Sequence, residues 1–225
     1  MSYKCVAVDG PSGAGKSTLA KLLAEALGYL YVDTGAIYRT VGLAARKRGI
    51  APQDQAAVSA MLPQLRIELR HGEDGLQHMI LDGEDVTEAI RQHEISAYAS
   101  GVSAIPEVRA FLLDRQRELA RTQNVIMDGR DIGTVVLPGA DVKIFLTASP
   151  EDRARRRYEE LVARGQQADY DTVYRDLLER DGHDSSRAAA PLRQAEDAIL
   201  VDTTGNSLEQ SFDVLLATIR EKLEA

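Results

Sequence analysis

The chain has 225 residues, 44% hydrophobic and 28% charged, with a formal net charge of -8. That balance supports a sizeable buried core and excludes a disordered chain, while the acidic excess speaks against a nucleic-acid coat or an anionic membrane surface as partner. The single cysteine, Cys5, allows no internal disulfide, and neither an apolar leader nor an 18-residue apolar run occurs, so a cytoplasmic protein outside the membrane is expected.

In chain order, an apolar strand over Cys5–Val8 ends at Asp9, and residues 10–17, G-P-S-G-A-G-K-S, match G-x-x-x-x-G-K-[ST] in full. Leu19, Leu22, Leu23, Ala26 and Leu27 then share one helical face as far as Gly28. Glycines at 10, 13 and 15 let successive N–H groups converge on an anion, and a helix starting near Lys16 adds its positive end. Gly10, Pro11, Ser12, Gly13, Ala14, Gly15, Lys16, Ser17 and Thr18 are therefore candidate ATP-binding residues, with Lys16 on the β- and γ-phosphates and Ser17 on the accompanying Mg²⁺. The bland alternative is a glycine-rich turn with a surface lysine, and the strand–loop–helix register argues against it.

A second strand, Leu30–Val32, ends at Asp33-Thr34-Gly35; a helix over Ala36–Arg48 and a connector with one short helix between Pro52 and Pro63 should follow. The period then changes to two. Leu65, Ile67 and Leu69 alternate with Arg66, Glu68 and Arg70, residues 72–75 can turn, and His78 and Ile80 lie in a second run, so residues 66–104 read as an insertion with its own small sheet. His71 and His78 are expected to be solvated hairpin residues rather than metal ligands. Helix returns at Glu107 behind Pro106, with Val108, Phe111, Leu112, Arg115 and Leu119 on one stripe and Arg109 off it.

Strands over Val125–Met127 and Val142–Leu146 end at D-G-R-D-I-G (128–133) and Thr147. Ser149 and Pro150 open a helix that carries Arg153, Arg155, Arg156 and Arg157 and breaks at Gly165. Another helix is expected from Thr172 to about Asp181, then a polar turn over 182–187, a fifth strand at Ala198–Val201, and a last helix capped by Ser207 and Gln210 whose Leu208, Phe212, Leu215, Leu216, Ile219 and Leu223 face inward. Strands alternating with helices imply a parallel sheet flanked by helices, with the turns after Asp9, Asp33, Asp128 and Asp202 on one edge.

A phosphate loop alone says only that a triphosphate binds. The arginines narrow the choice, because phosphoryl transfer needs clamps on donor and acceptor more than it needs a base. Arg39 and Arg130 suit an acceptor phosphate, and Arg156 and Arg180 suit closure over the donor. Beside Glu151, Asp152, Glu159 and Glu160 the same arginine run reads equally well as a solvated, salt-bridged helix face. Asp33 and Asp128 fit either Asx turns or carboxylates that hold magnesium water; Asp131 fits either an ion pair with Arg130 or a reader of a base edge.

G-P-S-G-A-G-K-S-T (10–18), D-T-G-A-I-Y-R (33–39), P-E-V-R (106–109), D-G-R-D-I-G-T (128–134), the run from Arg153, and R-D-G-H-D-S-S-R (180–187) with A-P-L (190–192) together resemble the bacterial cytidylate kinases, a family of nucleoside monophosphate kinases. The resemblance spans nearly the whole chain. It implies an α/β fold with a P-loop NTPase-type parallel five-stranded sheet: core 1–35, 122–150 and 190–225, an acceptor-binding region with the hairpin insertion over 36–121, and a short helical lid over 151–189. It implies Mg²⁺-dependent transfer from ATP to CMP or dCMP, by a chain expected to be monomeric. By motif position Thr34, Ser100, Arg109 and Asp131 would serve the cytosine side, Arg39 and Arg130 the acceptor phosphate, Asp184 and Arg187 the ribose, and Lys16, Arg130, Arg156 and Arg180 catalysis. Thr34 stands where serine is as often expected, and the 182–187 segment is less basic than in some relatives. Another small acceptor, such as UMP or a non-nucleotide, or a non-catalytic nucleotide switch, are the alternatives.

Overall fold

The computed structural model describes residues 3–72 and 76–224. The elements in order are β1 (Cys5–Asp9), α1 (Lys16–Leu27), β2 (Leu30–Asp33), α2 (Thr34–Lys47), α3 (Gln55–Met61), β3 (Ile67–His71), β4 (Gln77–Leu81), β5 (Glu84–Asp85), α4 (His93–Ser103), α5 (Pro106–Thr122), β6 (Val125–Gly129), β7 (Val142–Thr147), α6 (Pro150–Ala163), α7 (Tyr170–Ser186), β8 (Ile199–Asp202) and α8 (Leu208–Glu224), with a π-helical turn at Ile132–Val136. They gather into two compact units, one running to Tyr31 and resuming at Ala120, the other covering Val32–Leu119.

The five-stranded sheet, in the order β2-β6-β1-β7-β8, belongs to the first unit except for Val32 and Asp33 of β2, which belong to the second. β1 runs parallel to β6 and β7, and β7 parallel to β8. The register sets Asp9 beside Gly129 and Phe145, and Thr147 beside Asp202, so these four strands end on one edge. Continuous apolar runs such as Val6-Ala7-Val8 and Val125-Ile126-Met127 are fully buried, as strands covered on both faces must be. Leu19 and Leu23 of α1 and Leu215 and Ile219 of α8 pack with Val6, Val8 and Ile144. Leu208, expected to face inward, is instead 52% exposed: it is the first residue of α8 and lies beyond the reach of that core. The Ser207–Gln210 capping box closes as expected, each backbone N–H donating to the other residue's side chain.

α7 ends later than expected. It continues through Gly182 to Ser186, where a polar turn was expected. A glycine inside a helix costs about 1 kcal/mol relative to alanine. Here Asp181 and Asp184, on either side of Gly182, are both anchored to arginines of other elements, which offsets that cost.

In the second unit α2 begins at Thr34, two residues before the expected start, because the Asp33 side chain accepts from the Ala36 N–H at 2.8 Å and caps it. α4, not foreseen as a helix, carries buried Ile95, Ala99 and Val102 at helical spacing and crosses α2. A Cβ at Gly42 would stand 3.0 Å from the Ala99 nitrogen, so glycine permits that approach. The hairpin pairs β3 antiparallel with β4, Ile67 opposite Leu81 and Leu69 opposite Met79, and β5 adds a third strand. Its expected turn at 72–75 lies largely outside the described residues. Among the described residues no helix is long and apolar enough to cross a membrane.

Candidate active site

The loop after β1 crosses β7 so closely that a Cβ on Gly10 would stand 1.9 Å from the Leu146 carbonyl oxygen, and the backbone there has φ 150°. Only glycine fits such a crossing. Lys16, the first residue of α1, is 5% exposed, and its Nζ donates to the Pro11 carbonyl at 2.6 Å. Burial pushes this amine's pKa well below 10.5, Arg130 and Arg180 push the same way, and Asp128 and Asp9 oppose them. Ser17 Oγ donates to Asp128 Oδ2 at 2.8 Å, and the Tyr31 hydroxyl to Oδ1 at 3.0 Å.

Asp9 plays a part that its position at a strand end did not reveal. Its two carboxylate oxygens accept from the backbone N–H groups of Ile132 and Gly133, each at 2.7 Å, and so hold the segment after Asp131 against the end of β1. Burial raises its pKa to about 6, against the lowering effect of those two N–H groups. The folded-state pKa thus lies above the unfolded value of about 3.9, so folding takes up a proton between pH 4 and 6. The associated stability is complete below pH 4 and is lost as pH rises through 6. A carbon-detected NMR titration of the Asp9 carboxyl should give a midpoint near 6, and a midpoint below 4.5 would remove this assignment.

Arg130 and Asp131 follow β6. The expected choice for Asp131 included an ion pair with Arg130, but Arg130 pairs with Asp184 of α7, Nε to Oδ2 at 2.8 Å, with only 18% and 6% of the two side chains exposed. Burial alone would raise the Asp184 pKa; Arg130, Arg180 and Arg187 together hold it below the ordinary carboxylate range. Arg187, the residue capping α7, has Nη1 3.8 Å from Asp184 Oδ1. Asp131 is 4% exposed, and its charge is close enough to Asp9 to raise that group's pKa.

Arg156 donates to the hydroxyl and carbonyl of Thr203, at 3.1 and 2.6 Å, and its Nη1 lies 3.9 Å from where a Cβ on Gly15 would stand. Arg153, named in the sequence only as part of the arginine run, and Asp181, not singled out there, also hold the loop. Arg153 Nη1 donates to the Ser12 carbonyl at 2.9 Å, Asp181 Oδ1 accepts the Ser12 N–H at 3.2 Å, and Arg153 and Asp181 are themselves paired. Arg153 shares a helical face with Arg156, one turn apart, which is the one signal that could have distinguished it from Arg155.

The second unit has its own cluster. Asp33 Oδ2 accepts from Arg39 Nη2 at 2.6 Å, while the Arg39 Nε is buried without a partner. Thr34 is 3% exposed at the start of α2. Arg109 lies over the Tyr38 ring, 5.5 Å from its centre, and donates to the Ser103 carbonyl. Ser100 is half-buried on α4, and its carbonyl accepts from the Ser103 hydroxyl.

Residues 6–221 match the family described as cytidylate kinase. The chain belongs to the cytidylate kinase family. Cytidylate kinases of Caldicellulosiruptor bescii and Geobacter sulfurreducens are 52% and 50% identical to it, over 94% and 98% of this chain and 93% and 94% of theirs. That of Leuconostoc mesenteroides is 52% identical over 97% of this chain and 96% of its own length. A solved structure, an uncharacterized protein from Eubacterium ventriosum, shares the fold with a TM-score of 0.55 at 11% identity, over 97% of this chain and 98% of that one. Family membership adds to the geometry a reason for the cations to gather: in a chain of net charge -8, Lys16, Arg130, Arg156 and Arg180 stand by the phosphate loop, as polyanion binding requires.

Proposed function

We propose that the chain transfers the γ-phosphoryl group of ATP to the phosphate of CMP or dCMP, giving CDP or dCDP and ADP. The observation that carries this reading is Lys16, buried with its amine destabilised by Arg130 and Arg180, an arrangement that a polyphosphate would relieve. The loop from Gly10 to Thr18 holds the donor phosphates, with Lys16 on the β- and γ-oxygens. Arg130, Arg156 and Arg180 stabilise the charge that spreads over the transferring group. Thr34, Ser100, Arg109 and Asp131 are assigned to the cytosine, Arg39 and Arg130 to the acceptor phosphate, and Asp184 with Arg187 to the ribose. The buried, unpartnered Arg39 Nε supports an anion at that guanidinium. Residues 36–121 are accordingly assigned to acceptor binding and 151–189 to a lid.

Mg²⁺ fits the oxygen donors at the loop. Ser17 and Asp128 already meet at 2.8 Å, and a hydroxyl with one carboxylate suits a cation that keeps several waters and phosphate oxygens in its shell. Asp128 is the carboxylate assigned to it because it already meets the Ser17 hydroxyl, whereas the Asp33 oxygens accept from the Ala36 N–H and from Arg39. When bound with ATP the ion neutralises charge on the β- and γ-phosphates. Ser17 and Asp128 would hold it.

An acceptor panel tests the reading. With Mg-ATP in a coupled ADP-release assay, kcat/KM for CMP and dCMP should exceed that for UMP, AMP and GMP by at least about 10-fold, since a site that pairs buried polar groups with one base penalises another that leaves them unpaired. Equal or faster turnover of a different acceptor would overturn it.

A further inference from the structure

We propose that Gln77, on β4 of the three-stranded sheet, is a positioning residue for the acceptor nucleotide: its side-chain amide locks the main chain of Asp33 and, through Asp33, the orientation of Arg39. The inference rests on the assignment of Arg39 to the acceptor phosphate. It also gives the hairpin insertion a role beyond its bulk.

β2 is an edge strand of the five-stranded sheet, and an edge strand presents N–H and C=O groups that no neighbouring strand satisfies. At its last residue that need is met by a side chain. Gln77 Oε1 accepts the Asp33 N–H at 2.8 Å, and Gln77 Nε2 donates to the Asp33 carbonyl at 3.1 Å. The carboxamide thus acts as a strand of one residue, offering the acceptor and donor that a backbone would. Only one amide orientation allows this, because a flipped group would set N–H against N–H and oxygen against oxygen. Gln77 is 9% exposed, and its Nε2 also lies 3.3 Å from Met79 Sδ, so water does not readily replace the pairing.

Asp33 has three tasks that depend on this peptide. It ends β2, its Oδ1 caps α2 through the Ala36 N–H, and its Oδ2 holds Arg39. Its backbone, at φ -80° and ψ 96°, is the junction between strand and helix. With the amide gone, the junction gains freedom, and both the cap and the guanidinium lose their fixed reference. An acceptor phosphate would then bind an Arg39 whose direction is no longer set beforehand, which weakens binding without touching the donor loop.

The test is Gln77→Met, of similar length with neither donor nor acceptor toward Asp33. KM for CMP should rise about 5- to 10-fold, in proportion to the loss of one to two hydrogen bonds. KM for ATP and kcat should stay within about 2-fold, and hydrogen exchange at the Asp33 amide should quicken by about 10-fold. If Gln77→Met does not fold, Gln77→Glu, which keeps the acceptor and loses the donor, is read by the same constants. Arg39→Ala is measured alongside. A raised KM for CMP in Arg39→Ala with an unchanged one in Gln77→Met overturns the proposal and leaves the site assignment standing. An unchanged KM in Arg39→Ala overturns the assignment and, with it, the proposal. A Gln77 variant that only melts earlier, or that shifts the ATP and CMP constants alike, has a merely structural residue and also overturns it.

Discussion

Lys16→Ala should lower kcat/KM by about 10³-fold or more with every acceptor, while the protein stays folded. A loss of that size corresponds to about 4 kcal/mol of transition-state stabilisation, within the range found for single preorganised charge contacts to a reacting group. The geometry explains why the loss is general. Lys16 stands at the start of α1, buried beside Arg130 and Arg180, and the residues proposed to distinguish one acceptor from another are others. Stability should change by only about 1 kcal/mol, because the one hydrogen bond to Pro11 is lost while a desolvated amine, repelled by two guanidinium groups, is removed. A coupled assay and a urea midpoint check both halves. Activity within 10-fold of the parent would show that the donor phosphates are held elsewhere.

Arg130→Ala should affect both activity and folding. Its guanidinium is bonded to Asp184, whose side chain is 6% exposed, and breaking a buried pair by removing one partner typically costs about 3 kcal/mol or more. Asp184 retains Arg187 at 3.8 Å and the field of Arg180, so a value near 3 is expected rather than the top of that range. Activity should fall about 10²- to 10³-fold, as for the loss of one charge stabiliser of a transferring phosphoryl group. The double change Arg130→Ala/Asp184→Ala separates the two effects. Removing both charges should restore much of the stability, since no uncompensated carboxylate is left buried, and should leave activity low. Urea midpoints and kcat/KM for the four members of the cycle decide it; a double variant that regains activity would mean that Arg130 acts only through Asp184. The pair's pH dependence follows from the lowered Asp184 pKa: its stability is present above the unfolded pKa of about 3.9 and is lost as pH falls through the lower folded value.

The arginine run of α6 and the polar segment 182–187 show what local spacing does not reach. The arginines of α6 are similar in type and spacing, yet in the structure Arg153 grips the Ser12 carbonyl, Arg156 reaches Thr203, and Arg157 pairs with Glu160 on its own helix. Helical spacing places residues on a face but does not say what that face meets. The polar segment 182–187 misled for the opposite reason. Gly182 is a local turn signal, whereas the anchoring of Asp181 and Asp184, which keeps α7 helical there, is tertiary.

What the sequence alone determined was local chemistry: the glycine spacing of residues 10–15, the lysine and serine after it, the strand ends at Asp9 and Asp33, and the caps at Ser149 and Ser207. Each depends on interactions within a few residues, where periodicity and turn chemistry act directly. Only the tertiary structure decided the partners. Arg130 finds Asp184 across 54 positions, Asp33 finds Gln77 across 44, and Asp9 closes on Gly133 across 124. Such pairings are set by which strand ends and helix faces the sheet order brings together, and a buried charge or amide takes whichever partner satisfies it there.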